Sequence, residues 1–193
     1  CPSDTPDPFF WAVGTPEKFA SGPSSAYSWQ KGGGSLVYGG KICQVASANY
    51  VGMFGLGEPG VDGEGLFYRN SSVSFAQIRD GLSQTIAVGE RGHDLGYATW
   101  VGSVTGATLF NPDGATVGRT RPEPGAGMTL GHAGEGVGPG DPNSDVNMFF
   151  SRHGGGVNFV FADGHVSFLK TTMNASVFAA LATRSGGEVI QSP

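Results

Sequence analysis

A chain of 193 residues with 34 glycines, 14% charged residues and a net charge of −5 is long enough for one real core. It has no basic cluster, which excludes nucleic acid and anionic membranes as partners. Its 13 Phe, 5 Tyr and 3 Trp can fill a core, so the low charge does not mean disorder, and its glycines keep no three-residue period that would make a collagen.

The chain opens at Cys1-Pro2-Ser3-Asp4 without a methionine or a signal peptide, and the expectation is a mature or trimmed product. Cys1 and Cys43 would close one loop if paired, worth about 2–4 kcal/mol. The low lysine content favours that disulfide, and an oxidising compartment, over two free thiols. Residues 1–35 read as an extended loop region anchored by Phe9-Phe10-Trp11. Leu36-Val37-Tyr38 and residues 42–46 read as short strands, and 52–66 as glycine-punctuated loop.

Ser74 is placed to cap a short helix over 75–80, with Gly81 as its left-handed stop. Residues 85–90 and 98–102 read as strands. The stretch 111–145, rich in Gly, Pro, Asp and Asn, reads as a second extended loop region. Asp163-Gly164 between alternating apolar runs predicts a β-hairpin over 157–170 with a two-residue turn. That register puts Phe159, Phe161, Val166 and Phe168 on one face, the expected core face. A helix follows over about 175–183, burying Val177, Phe178 and Leu181, and Gly186-Gly187 ends it. No segment is apolar for the roughly 18 residues that span a bilayer.

From His153 to Asp163-Gly164 there are nine intervening residues. This spacing resembles the H-X9-DG motif of a prepilin-like family known chiefly from planctomycetes, labelled domain of unknown function 1559. Cys1-Pro2-Ser3-Asp4 is similar to that family's CPSD element. Asp80-Gly81-Leu82-Ser83-Gln84-Thr85 with Glu90 is similar to its DGxSxT…E element, and Gly186-Gly187-Glu188-Val189 also fits. The resemblance implies a pilin-like globular head whose motif residues His153, Asp163, Gly164, Asp80, Gly81 and Glu90 are structural. It also implies a prepilin leader and apolar helix ahead of CPSD, which this sequence does not include.

His153 near a carboxylate could act in acid–base chemistry, but no nucleophile or second acid stands at a defined spacing. Asp163 is explained by its turn, and His153 by a hydrogen bond that locks the strand entry. Asp141, Asn143 and Asp145 place oxygens at alternate positions, as a calcium loop does. Val146 and Arg152 stand where an EF-hand needs Gly and Glu, so turn chemistry is preferred; related pseudopilins bind calcium, which keeps the ion as the one candidate cofactor. His93-Asp94 and His132 match no zinc spacing. Asn70 and Asn174 lie in N-x-[ST] triplets, and Asn174 could equally cap the last helix.

The expected architecture is one mainly β domain over 1–193, an antiparallel sheet with short helices and long Gly-rich loops. The expected function is a non-enzymatic structural subunit of a cell-surface or extracellular assembly. Its partners would be copies of itself in a homo-oligomer or filament, or other pilin-like subunits. The alternative is a secreted carbohydrate- or ligand-binding module using Trp11, Trp29 or Trp100. A metal-dependent hydrolase centred on His153, Asp163 and His165 ranks last.

Overall fold

The computed structural model describes residues 3–14, 40–111, 117–118, 122–134 and 136–188. In chain order the strands are β1 (Phe9–Gly14), β2 (Lys41–Ala46), β3 (Tyr50–Gly55), β4 (Ile86–Glu90), β5 (Ala107–Leu109), β6 (Glu123–Pro124), β7 (Leu130–His132), β8 (Gly156–Phe161) and β9 (Val166–Lys170). Helix α1 (Ala175–Leu181) follows them. Two sheets result, with orders β2-β1-β5-β6 and β7-β3-β4-β8-β9. The fold is mainly β, as expected, and antiparallel throughout except for β3 beside β7.

Each sheet has its own core. The larger packs Val51, Met53, Ile86, Val157, Phe159 and Phe161 of the five-stranded sheet, with Phe149 from the segment before β8, against Phe178 and Leu181 of α1. Phe149 meets Phe159 edge-on, with ring centroids 5.2 Å apart. Gly89 makes that approach possible, because a Cβ there would lie 2.5 Å from both rings. Burying each such ring contributes about 1.5–3 kcal/mol. The smaller core joins Phe10, Ala12, Val45, Leu109, Met128 and Val146. The segment 146–149 thus feeds both cores, Val146 one and Phe149 the other.

The joint between the sheets is held by Arg91, which directly follows β4 and is 0% exposed. Its Nε donates to the Met148 carbonyl at 2.8 Å, its Nη2 to the Leu130 carbonyl at 3.0 Å, and its Nη1 to the Gly127 carbonyl. Burial pulls the guanidinium down to about 9, which leaves it charged at neutral pH.

Several expectations change. The hairpin loop has three residues, not two: the Gly164 N–H donates to the Phe161 carbonyl, the Phe161 N–H to the His165 carbonyl, and Gly164 has φ +91. This is a type I turn with a left-handed glycine. The pairing becomes Val160 to Val166 and Asn158 to Phe168. A one-residue slip turns β9 over, so Leu169 is buried while Val166 and Phe168 stand 63% and 43% exposed.

Residues 98–102 form no strand; only Ala98 bridges to Ala48. Gly52 and Gly55, read as loop, belong to β3, where Gly52 makes room for the Phe67 ring. The loop regions 1–35 and 111–145 contain β1, β6 and β7, short strands whose registers come from neighbours rather than from their own sequences. The helix expected over 75–80 is a single 3₁₀ turn at Phe75–Gln77, with the Ser74 N–H donating to the Gln77 side chain at 2.7 Å. α1 begins as expected, the Ser176 N–H donating to the Asn174 side chain at 2.8 Å. Asn70 takes a positive φ of 58 in an exposed turn. Cys43 is a free thiol packed as a small apolar side chain beside the smaller core, and the Cys1 partner of the expected disulfide lies outside the described residues. Cys1, Trp29, Leu36-Val37-Tyr38 and Val189 lie outside the described residues.

Arg91→Met keeps the bulk but leaves three buried carbonyls without their donor. At about 1–3 kcal/mol for each unsatisfied group, a stability loss of at least about 3 kcal/mol is expected in urea unfolding. A loss under about 1 kcal/mol would show that the arginine does not hold the joint.

Candidate functional site

Residues singled out from the sequence flank β4, Asp80 to Thr85 ahead of it and Glu90 at its end, and on each side they meet partners distant in sequence. At the Glu90 end, the Glu90 carboxylate is buried and accepts from the Asn158 backbone N–H at 3.0 Å and its side-chain amide at 3.1 Å. His153 stands over it, Nε2 lying 3.4 Å from Glu90 and 3.4 Å from the Ser3 hydroxyl. Tyr50 pairs with Glu90 across the ladder. Burial, and then the charge of Glu90, push the Tyr50 hydroxyl up.

Asp4 sits beside this group as a second buried carboxylate. It accepts from the His93 backbone N–H at 2.9 Å, from the Asn49 amide and from the His93 ring. Arg152 lies 3.7 Å from Asp4 and grips Asp94 bidentately at 2.7 and 2.8 Å. The Arg152 hydrogen bonds hold the Asp94 carboxyl below the usual carboxylate range. Three segments that the sequence separates by up to 150 positions, Ser3-Asp4, Glu90 and Arg152-His153, therefore converge at one place.

At the other end, Asp80 accepts from the Gly186 N–H at 2.7 Å and the Gly187 N–H at 2.9 Å, and from the Thr183 hydroxyl at 3.3 Å. Gly81 takes φ +100 and ψ 141, a conformation open essentially only to glycine. The Thr85 hydroxyl donates back to the Gly81 carbonyl at 3.1 Å, and the Ala162 N–H to the Thr85 carbonyl at 2.9 Å. Asp163 accepts from the His165 backbone N–H at 3.0 Å, from the Ser83 hydroxyl and from the His165 ring. These bonds, the backbone one first, hold its carboxyl at about 2.

His153 and Asp163 thus stand at opposite ends of β8, with His165 beside Asp163. They do not converge as a hydrolase centre requires. Among the described residues no three His, Cys, Asp or Glu side chains gather as a metal-ligand set. Asp141 accepts from the Asn143 backbone at 2.7 Å and its amide at 3.1 Å, and the Asp145 N–H faces the Met148 sulfur at 3.4 Å. His132 is buried, with its ring nitrogens 3.1 Å from the Leu56 carbonyl and 3.1 Å from the Asn147 side-chain oxygen. Trp11 is exposed beneath the Lys41 ammonium at 4.6 Å. It lines a groove of about 440 Å³ with Phe9 and Tyr97. Trp100 is exposed but does not line that groove.

Sequence reasoning missed the roles of Asn49, Arg152 and Asn158, which carry no spacing signal. Asp4 was visible only as part of a motif.

Two outcomes test these contacts. Asp80→Ala removes the acceptor for residues 183–187 and should cost about 1–2 kcal/mol, with new proteolytic cleavage after α1. An unchanged cleavage pattern would count against the role. Because the folded value of Asp163 lies below the ordinary 3.8, its stabilisation is complete above that value. It is lost as pH falls through about 2. Ser83→Ala should raise the Asp163 midpoint in a carboxyl-carbon NMR titration, and an unmoved midpoint would remove Ser83 from this part.

Comparison with curated proteins and with solved structures found no match. Over residues 1–176 the chain matches a family described as protein of unknown function DUF1559. The segments that meet at the two ends of β4 lie almost wholly within that match, and the chain belongs to the DUF1559 family.

Proposed function

We propose that the chain is a non-catalytic structural subunit of an exported, cell-surface or extracellular assembly, pilin-like in organisation. One observation carries this reading: the motif side chains are used by the fold itself. Asp80, Asp163, Glu90 and Asp4 each accept hydrogen bonds that tie distant segments together, Asp163 from the Ser83 hydroxyl. A catalytic carboxylate would instead need room beside it for a substrate. Among the described residues no helix is long and apolar enough to cross a membrane, so attachment would rest on other segments or other chains. No cofactor is part of this reading.

Electron microscopy of undisrupted native material is the test. Regular filaments, tubes or sheets containing this chain are expected, whereas a dispersed monomer in the native extract would overturn the proposal. The groove beside Trp11 supports a second reading, carbohydrate binding on an exposed indole. Quenching or shift of Trp11 fluorescence by oligosaccharides, lost in Trp11→Ala, would favour it.

A further inference from the structure

Strand β9 ends the five-stranded sheet. The Phe161 N–H donates to His165 and the Thr171 N–H to Gly155, both at 2.9 Å. Antiparallel bonding alternates along a strand, so the odd-numbered residues of β9 bond to β8. Val166, Phe168 and Lys170 then turn their N–H and C=O groups outward. The Lys170 carbonyl is taken by the Met173 N–H at 2.9 Å. Among the described residues nothing takes the outward groups of Val166 and Phe168, and the side chains of both are exposed. An edge with unpaired backbone and exposed apolar side chains is a template for another strand.

The apolar character continues inward from that edge. Val166 pairs with Val160, and Val160 with Val88, on the face opposite α1. Phe168 lies over Gly156, where a Cβ would stand 2.8 Å from the ring.

We propose that β9 pairs antiparallel with β9 of a second copy of this chain, about a two-fold axis at Ser167. It rests on the structural-subunit reading and names one contact of that assembly, the one that pairs its subunits. In this register Val166 of each copy meets Phe168 of the other, twice. Lys170 of each copy falls opposite Gly164, beside the exposed Asp163 carboxylate. The strand is therefore complementary to itself in both apolar contact and charge. A parallel, in-register pairing would set Lys170 on Lys170 and Asp163 on Asp163, which like-charge repulsion disfavours. A two-fold contact is also self-limiting, since it covers the edge it uses. The two five-stranded sheets become one continuous sheet.

Ser167 would face its own counterpart as a non-hydrogen-bonded pair, with Cα atoms about 4.5 Å apart, within disulfide reach. The test is Ser167→Cys in a Cys1→Ser, Cys43→Ser background under mild oxidation. A disulfide-linked dimer is expected on a non-reducing gel. Sedimentation should find the Cys-free parent as a dimer. Adding Val166→Lys, an exposed change that circular dichroism should find folded, should weaken dimerisation about tenfold or more. If Ser167→Cys fails to cross-link while the parent still assembles, the edge is not the contact and the structural reading stands. If the parent stays monomeric and native material holds no assembly, both fall.

Discussion

A single cation placed where no carboxylate can reach it organises the rest of the molecule. Arg91 donates only to main-chain carbonyls, those of Gly127, Leu130 and Met148. Gly127 lies in the 3₁₀ turn that carries the chain from β6 of one sheet to β7 of the other. Met148 belongs to the segment that sends Val146 into one core and Phe149 into the other. Removing a charge from water is expensive, and the rigid guanidinium, with donors spread over three nitrogens, meets three carbonyls in different directions from one preset geometry. A lysine at this place would have the charge without the fork. Two sheets with separate cores are thereby fixed to each other through backbone, with little dependence on the side chains of the glycine-rich loops.

The legible parts of this fold were those where one residue type has one local use. Asn174 ahead of an apolar helical pattern caps α1, and the apolar run Ile86-Ala87-Val88 after Thr85 marks β4. Asp163-Gly164 marked the turn, but the same dipeptide serves two- and three-residue loops. The choice between them depends on what lies beneath the sheet. With Leu169, rather than Val166 and Phe168, completing the core around Phe159 and Phe178, the longer loop follows. Strands β6 and β7 were illegible because their neighbours impose them; Leu130-Gly131-His132 has no pattern of its own. Arg91 was illegible for a related reason. An arginine after a strand looks the same in sequence whether it faces water or three carbonyls.

The short segments around Asp4, Asp80, Glu90, His153 and Asp163 are widely spaced in sequence yet meet in space, and the geometry explains both. β4 is the central strand of its sheet. Residues just before it reach the hairpin turn and the segment after α1, while the residue that ends it reaches β8 directly and the N-terminal segment through His153. The glycine at 81 is required by backbone conformation, the carboxylates at 80 and 163 by exposed N–H groups of neighbouring turns. Each of these segments therefore answers to a separate local demand, which is why each is brief.

The buried Asp4 also fixes the route by which force would travel through the domain. Tension applied at the N-terminal end meets the Asp4 bonds to Asn49 and His93 before it reaches β1. Next along the path are the Ser47 hydroxyl bond to the Asp7 carbonyl at 2.6 Å and the Ser47 N–H bond to Pro8 at 2.9 Å. β1 itself lies between β2 and β5, so further extension would have to slide it lengthwise past both neighbours. Bonds loaded along the strand direction in this way share the load and fail together instead of one at a time. The carboxylate anchor thus turns the entry of the chain into a mechanical fastening, with a charged first link and a shear-loaded sheet behind it.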